Sequence, residues 1–197
     1  MLSLVFPRAC IGCDRDDLLL CEPCARNAGT SSTIRLGNLE VRSCLPYSGI
    51  LRTAINDFKA GRRAFAADLA ALLVPFVRSG MTLVPIPTTR RRRAQRGFDQ
   101  TVLLARILAR RSGVEIAELL ARRGAGAQQG RSRLERLAAS GRFFAQNPAA
   151  ASGAALFLFD DVRTTGATLI DAARTLEAAG LELRGALTLA WAPKENQ

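Results

Sequence analysis

Leu156-Phe157-Leu158-Phe159-Asp160-Asp161-Val162-Arg163-Thr164-Thr165-Gly166-Ala167-Thr168 sets an apolar run, two acids and a small, hydroxyl-rich turn in immediate succession. The four apolar residues do not alternate with polar ones, so the pattern predicts a strand buried on both faces, as in a parallel sheet. The two carboxylates fall where that strand leaves the sheet. Beyond the turn, Leu169, Ala172, Ala173, Leu176 and Ala179 recur at helical spacing, and Gly180 stops the run. In open α/β sheets ligands bind outside the carboxyl ends of strands, which puts the chemistry at this junction.

Each part has a physical use. Backbone N–H groups of a turn and a helix start form a concave anion site, worth a few tenths to about 1 kcal/mol per charge. Thr164, Thr165 and Thr168 can donate hydroxyls to the same phosphate, and Gly166 lets it approach the backbone. The candidate phosphate cradle is thus Val162, Arg163, Thr164, Thr165, Gly166, Ala167 and Thr168. Asp160 and Asp161, the candidate catalytic pair, repel phosphate but suit sugar hydroxyls or a Mg²⁺ shared with a second phosphate. A phosphorylated ribose meets all of these demands. An ordinary strand–turn–helix with a threonine cap is the plainer alternative. A Walker A loop is excluded, because no lysine follows the glycine.

A chain of 197 residues is enough for one full α/β core and a small extra module. No apolar run has the length of a membrane span, and the apolar N-terminus is too short for a signal peptide, so a cytoplasmic protein is expected. The formal net charge is +11, and all but two of the 28 basic residues (Lys59 and Lys194) are arginines. Such a charge favours anionic partners: phosphates, nucleic acid or an anionic membrane face. With no histidine in the chain, electrostatics and positioning suit it better than proton shuttling.

Cys10, Cys13, Cys21 and Cys24 form Cys-x2-Cys-x7-Cys-x2-Cys, a spacing that can present four thiolates to a structural zinc ion. Two disulfides or a redox pair are the competing readings. A module so short has almost no core, so metal would supply its folding energy. Residues 1–38 are expected to hold this module and a polar linker from Ala25 to Asn38, and residues 39–197 the α/β domain. Cys44 stands alone and reads as a buried apolar residue.

Leu39 to Tyr47 alternates weakly and predicts a strand; Gly49 to Phe58 and Ala64 to Val77 have helical spacing. The basic run from Lys59 to Arg63 between them reads as a solvated turn. Thr82 to Pro87 predicts a short strand, followed by Thr88, Thr89 and a cluster at Arg90, Arg91, Arg92, Arg93 and Arg96. Hydroxyls and guanidiniums at a rigid strand end can clamp a diphosphate, with Thr88, Thr89 and Arg90 as candidates. Five arginines exceed what one diphosphate engages. The excess (Arg91, Arg92, Arg93 and Arg96) is a nucleic-acid candidate or a solvated loop. Asp99 is placed to cap a helix from Gln100 to Arg111. An uncertain strand follows at Val114 to Leu120. The basic loop after it is a lid over an anionic ligand, with Arg133 as a further candidate, or plain disorder. Gly141 to Ala145 and Leu183 to Trp191 predict the last strands.

The two acids followed by Thr-Thr-Gly-x-Thr resemble the phosphoribosyl pyrophosphate (PRPP) motif of type I phosphoribosyltransferases. With the paired cysteines, Val84-Pro85-Ile86-Pro87, Arg96-Gly97-Phe98-Asp99-Gln100 and Gln128-Gln129-Gly130-Arg131-Ser132-Arg133-Leu134-Glu135-Arg136, the chain resembles the competence-associated ComF (ComFC-type) family along nearly its full length. It departs from that pattern in lacking further cysteines, in Asp99 where Asn is usual, and in Gln129 and Arg131, which make the loop more basic. The resemblance implies a type I phosphoribosyltransferase-like parallel sheet flanked by helices, binding PRPP with Mg²⁺. It further implies help with incoming single-stranded DNA in natural transformation, beside a helicase-like partner and membrane channel proteins at the inner face of the membrane. Asp160 and Asp161 would then hold the ribose diol and metal, residues 164–168 the 5′-phosphate, and Arg90 and Arg133 the pyrophosphate. An active transferase with an unidentified acceptor is the alternative, although no acceptor pocket is recognisable in the sequence.

Overall fold

The computed structural model describes residues 9–16, 18–27, 29–122, 141–151 and 153–193. The expected lid loop and Arg133 lie outside them. After a short helix α1 (Glu22–Arg26) come strands β1 (Ser32–Leu36) and β2 (Leu39–Pro46), then helices α2 (Gly49–Lys59) and α3 (Phe65–Ala71). Strand β3 (Met81–Pro85) leads to α4 (Arg90–Arg96) and α5 (Gln100–Ser112). Short strands β4 (Glu115–Ile116), β5 (Leu120–Arg122) and β6 (Phe143–Ala145) precede β7 (Ala155–Arg163), α6 (Ala167–Glu177) and β8 (Leu183–Trp191).

Six strands form one sheet in the order β1-β2-β8-β7-β3-β4. All neighbours are parallel except β1, which is antiparallel to β2 at the edge. β5 and β6 pair separately as a small antiparallel ribbon. The unalternated apolar run at the head of β7 is explained by cores on both faces. Phe159 joins the core built with α2, α3 and α5, where Phe157 also packs, while Leu156 and Leu158 enter the core beneath α6. Successive strand residues point to opposite faces, so helices on both sides cover a run like this one.

Three expectations change in detail. The polar stretch expected as a linker holds the last two residues of α1 and the whole of the edge strand β1. Its Ser-Thr-Ile-Arg-Leu alternation half-buries Ser32, Ile34 and Leu36, and a two-residue turn with Gly37 at φ 63° returns the chain into β2. A half-buried edge strand needs only every second residue to be apolar, which makes it easy to mistake for a loop. The uncertain strand at 114–120 is split into β4, on the main sheet, and β5, on the ribbon. The arginine cluster is a helix, not a loop: Thr89 caps α4 by accepting from the Arg92 N–H (3.2 Å), and Gly97 ends it in the left-handed region.

The cysteine segment shares the main core rather than forming its own. Leu19, Leu20 and Ala25 are buried in it, and the buried Asp68 carboxylate on α3 accepts from the Leu19 and Leu20 N–H groups (2.8 and 3.4 Å).

Candidate functional site

From β3 the chain moves outward to β4 and then returns to the opposite side of β3 for β7. The connections therefore diverge at β3, opening a crevice at the carboxyl ends of β3 and β7, where open α/β sheets take their ligands. A cavity of about 250 Å³ lies there. β7 contributes Asp160, Asp161 and Val162, the turn beyond it Thr164, and α6 Thr168. The loop after β3 contributes Pro87 and Thr88, α4 contributes Arg92 and Arg96, and α5 contributes Gln100. Tyr47, Lys59 and Arg122 also line it.

Strand alternation sorts the two acids. Asp161 is nearly buried and turns to the side of α2 and α5, where Lys59 Nζ lies 2.9 Å and Gln100 Nε2 3.4 Å from its Oδ2. Asp160 Oδ1 accepts from the Asp161 N–H (2.8 Å). Burial first, and then the adjacent Asp161 charge, hold the Asp160 carboxyl well above the usual carboxylate range, against the opposing pull of that N–H and of Lys59. Arg122 donates to the Pro87 carbonyl (2.7 Å) and stacks on Phe143 (4.7 Å to the centroid), so its guanidinium is fixed at the cavity wall. Burial lowers its pKa and Asp160 raises it, with the first effect larger.

At the other end, Thr165 Oγ1 accepts from the Ala167 N–H (3.3 Å), and Thr168 Oγ1 accepts from Arg142 (3.2 Å). Gly166 sits at φ 82° and caps α6 without a side-chain hydrogen bond, leaving the helix start open to an anion. A Cβ at Gly166 would meet Leu36 Cδ1 at 2.3 Å. Gly166→Ala is therefore expected to lower stability by about 1–3 kcal/mol in a urea melt. Leu36→Ala in the same chain should recover only the collision part, because the backbone cost stays. A wild-type melt for the single variant would refute this account of the glycine.

The sequence candidates do not all converge. Arg163 turns away from the cavity to Ser43 Oγ (3.2 Å) and Ser32 Oγ (3.5 Å), with Trp191 6.0 Å from its guanidinium. Thr89 is occupied as a helix cap. The short helix spreads its arginines: Arg92 and Arg96 face the acid-pair cavity, whereas Arg90 and Arg93 line a second one of about 490 Å³, and Arg91 is exposed. That second cavity shares Pro87, Thr88 and Arg122 with the first. Asp99 holds the junction together. One of its oxygens accepts from the Thr101 and Val102 N–H groups (3.2 and 3.4 Å) and the other from the Thr88 N–H (2.8 Å). A carboxylate has two acceptor oxygens for this where an asparagine has one.

Sequence reasoning missed Tyr47, Lys59 and Arg122 as site residues. Lys59 was hidden in a basic run, and nothing local in any of them signals the crevice. Gln100 stood out only through the family resemblance.

The four N-terminal cysteines cluster with all sulfurs within 4.8 Å of one another; Cys10–Cys21 and Cys13–Cys21 are 3.6 Å apart. A tetrahedron with metal–sulfur bonds of about 2.3 Å has edges of about 3.8 Å, so the donor set fits a metal such as zinc. All five cysteines are free in this structure. Cys44 is buried, donates to the Leu72 carbonyl (3.2 Å), and has its thiol pushed up to about 12 by burial, leaving it protonated and inert. Among the described residues no helix is long and apolar enough to cross a membrane.

Sheet order and switch-point crevice define an open, mostly parallel α/β protein with a polar site at the carboxyl ends of its central strands. No family model matches the chain. The chain is 32% identical over 145 residues to the competence protein ComFC of Bacillus subtilis (strain 168), a match covering 71% of this chain and 58% of that one. It belongs to the ComF/ComFC family. Two solved structures are also similar. One is the allosteric regulatory enzyme of purine biosynthesis (TM-score 0.45, 15% identity, 63% of this chain and 25% of that one). The other is an APRTase from Giardia lamblia complexed with 9-deazaadenine (TM-score 0.44, 14% identity, 89% and 98%).

Proposed function

We propose that the chain binds PRPP with Mg²⁺ in the crevice and, as a phosphoribosyltransferase-like protein, assists the uptake and handling of single-stranded DNA in natural transformation. The observation that carries the ligand is the convergence of Asp160, Asp161, Thr164, Thr168, Thr88, Arg92, Arg96 and Arg122 on one cavity. The turn from Thr164 to Thr168 takes the 5′-phosphate, the acid pair the ribose diol, and Thr88 with the three guanidiniums the diphosphate. Two carboxylates beside a diphosphate are the hard oxygen donors that Mg²⁺ prefers. When bound, the ion would neutralise diphosphate charge. Arg90 and Arg93, assigned from the sequence to the diphosphate and to nucleic acid, line the adjoining cavity instead, and with Arg91 offer an exposed basic surface for a DNA backbone. The net charge of +11 and the competence role in the relative's name support the DNA reading. Partner proteins at a membrane channel follow only from the family.

An active transferase is the second reading, favoured by the adjoining cavity of about 490 Å³, which offers an acceptor a place next to the diphosphate wall. There the arginines would stabilise departing pyrophosphate while an acceptor attacks the anomeric carbon.

Calorimetry with PRPP and Mg²⁺, followed by pyrophosphate detection over an acceptor panel, separates the two. Heat without pyrophosphate leaves the binding module; pyrophosphate release establishes the transferase; no heat removes both. Single-stranded DNA affinity is expected to fall log-linearly with salt, the slope shrinking by about one for each of Arg91 and Arg93 replaced by alanine. An affinity indifferent to salt would sink the backbone contact.

A further inference from the structure

Lys59 ends α2 in a basic run that the sequence gives every appearance of solvating, yet its ammonium sits inside the crevice. Nζ is 2.9 Å from Asp161 Oδ2 and 6.0 Å from the Tyr47 ring centroid, with the side chain 21% exposed. The same Asp161 oxygen receives Gln100 Nε2. Gln100 is only 6% exposed and its Oε1 is buried with no partner among the described residues, as is Arg96 Nη1. Both residues line the cavity. Native interiors rarely leave such atoms unpaired, so an acceptor and a donor held here fit a ligand that supplies both kinds of partner.

We propose that Lys59 is a built-in counter-cation: it occupies the cation position at Asp161 while the crevice is empty and releases it only when the phosphorylated ligand enters. The proposal rests on the crevice being the Mg²⁺–PRPP site. Two neighbouring carboxylates in a partly buried cavity attract divalent cations unaided, because Coulomb attraction strengthens as water is excluded. A resident ammonium cancels the Asp161 charge and repels a second cation. The neutral amide of Gln100 can orient Asp161 but cannot do this. The ligand's phosphates reverse the balance: they attract the ammonium, whose flexible four-carbon stem lets it turn towards them. Asp161 is then free for the ribose diol or metal, and Gln100 Oε1 can accept from a ligand hydroxyl. Metal and ligand therefore load together, and the bare ion is kept out.

Calorimetry with Mn²⁺ alone tests this on the full chain. Lys59→Met is expected to bind Mn²⁺ at least about tenfold more tightly than wild type, and to bind Mg²⁺–PRPP about tenfold more weakly, whereas Lys59→Arg keeps the wild-type Mn²⁺ behaviour. A purely structural ion pair would lower stability without creating Mn²⁺ affinity. Equal Mn²⁺ affinity in wild type and Lys59→Met overturns the proposal. A second measurement needs no variant. The chain has two lysines, Lys59 and Lys194, so a lysine-labelled sample gives two side-chain signals. The Lys59 signal should move with Mg²⁺–PRPP and stay with Mg²⁺ alone; movement with Mg²⁺ alone overturns the coupling. Failure of wild type to bind PRPP would sink the site reading instead, while the Mn²⁺ comparison still decides whether Lys59 holds the cation position.

Discussion

Exchanging both acids for amides, Asp160→Asn with Asp161→Asn, is expected to weaken Mg²⁺–PRPP binding by roughly 100-fold or more, equivalent to about 2.8 kcal/mol. Two charged acceptors for the diol and metal are lost, each worth about 1.5–3 kcal/mol where hydrogen-bonded. Calorimetry reads the loss directly, and near-wild-type affinity in the double variant would remove the acid pair from the site. The single variant Asp160→Asn adds a stability test of opposite sign. Burial and Asp161 hold the Asp160 carboxyl well above the usual range in the folded chain. Between the unfolded value and that raised value the folded state binds more protons, so stability falls as pH rises through this window. An amide never ionises and can still accept the Asp161 N–H. Asp160→Asn should therefore melt higher than wild type at neutral pH while binding ligand worse, and binding by wild type should release a proton and strengthen as pH rises. A lower melt for Asp160→Asn would mean that the fold does not penalise its charge.

How much of this was legible follows from how local each signal is. The strand, turn and helix around Asp160 were readable because β7 is a covered parallel strand whose turn must accept an unusual backbone, and such constraints act on consecutive residues. Asp99 was readable as a helix cap for the same reason, although its second task, holding the Thr88 N–H, was not. Lys59, Tyr47 and Arg122 reach the crevice from three separate elements, so only the fold brings them together. The arginine cluster misled in a specific way. Composition announced charge, but the capping of α4 by Thr89, which spreads consecutive arginines around a helix, decided which of them face the crevice and which the adjoining cavity.

Stripping metal from the four cysteines is expected to have the other large effect, and to reach well beyond them. Purified without chelator, the chain should carry about one zinc. Thiolates held at 3.6 Å repel one another unless a cation joins them, and so short a segment offers little else to hold it. Leu19 and Leu20, however, belong to the main core, and their N–H groups satisfy the buried Asp68 carboxylate on α3. Releasing the segment re-exposes both leucines, a loss of roughly 3–6 kcal/mol, and leaves Asp68 to water. For a domain of this size that lowers the melting temperature by about 6 °C or more. Chelation and Cys10→Ser should therefore depress the melt of the α/β domain itself and open the N-terminal segment to proteolysis. Asp68→Ala should reproduce part of the drop with the zinc still bound, because it removes the docking contact and spares the metal. A chelated chain that melts like the untreated one would show that neither the metal nor the docking contact supports the domain.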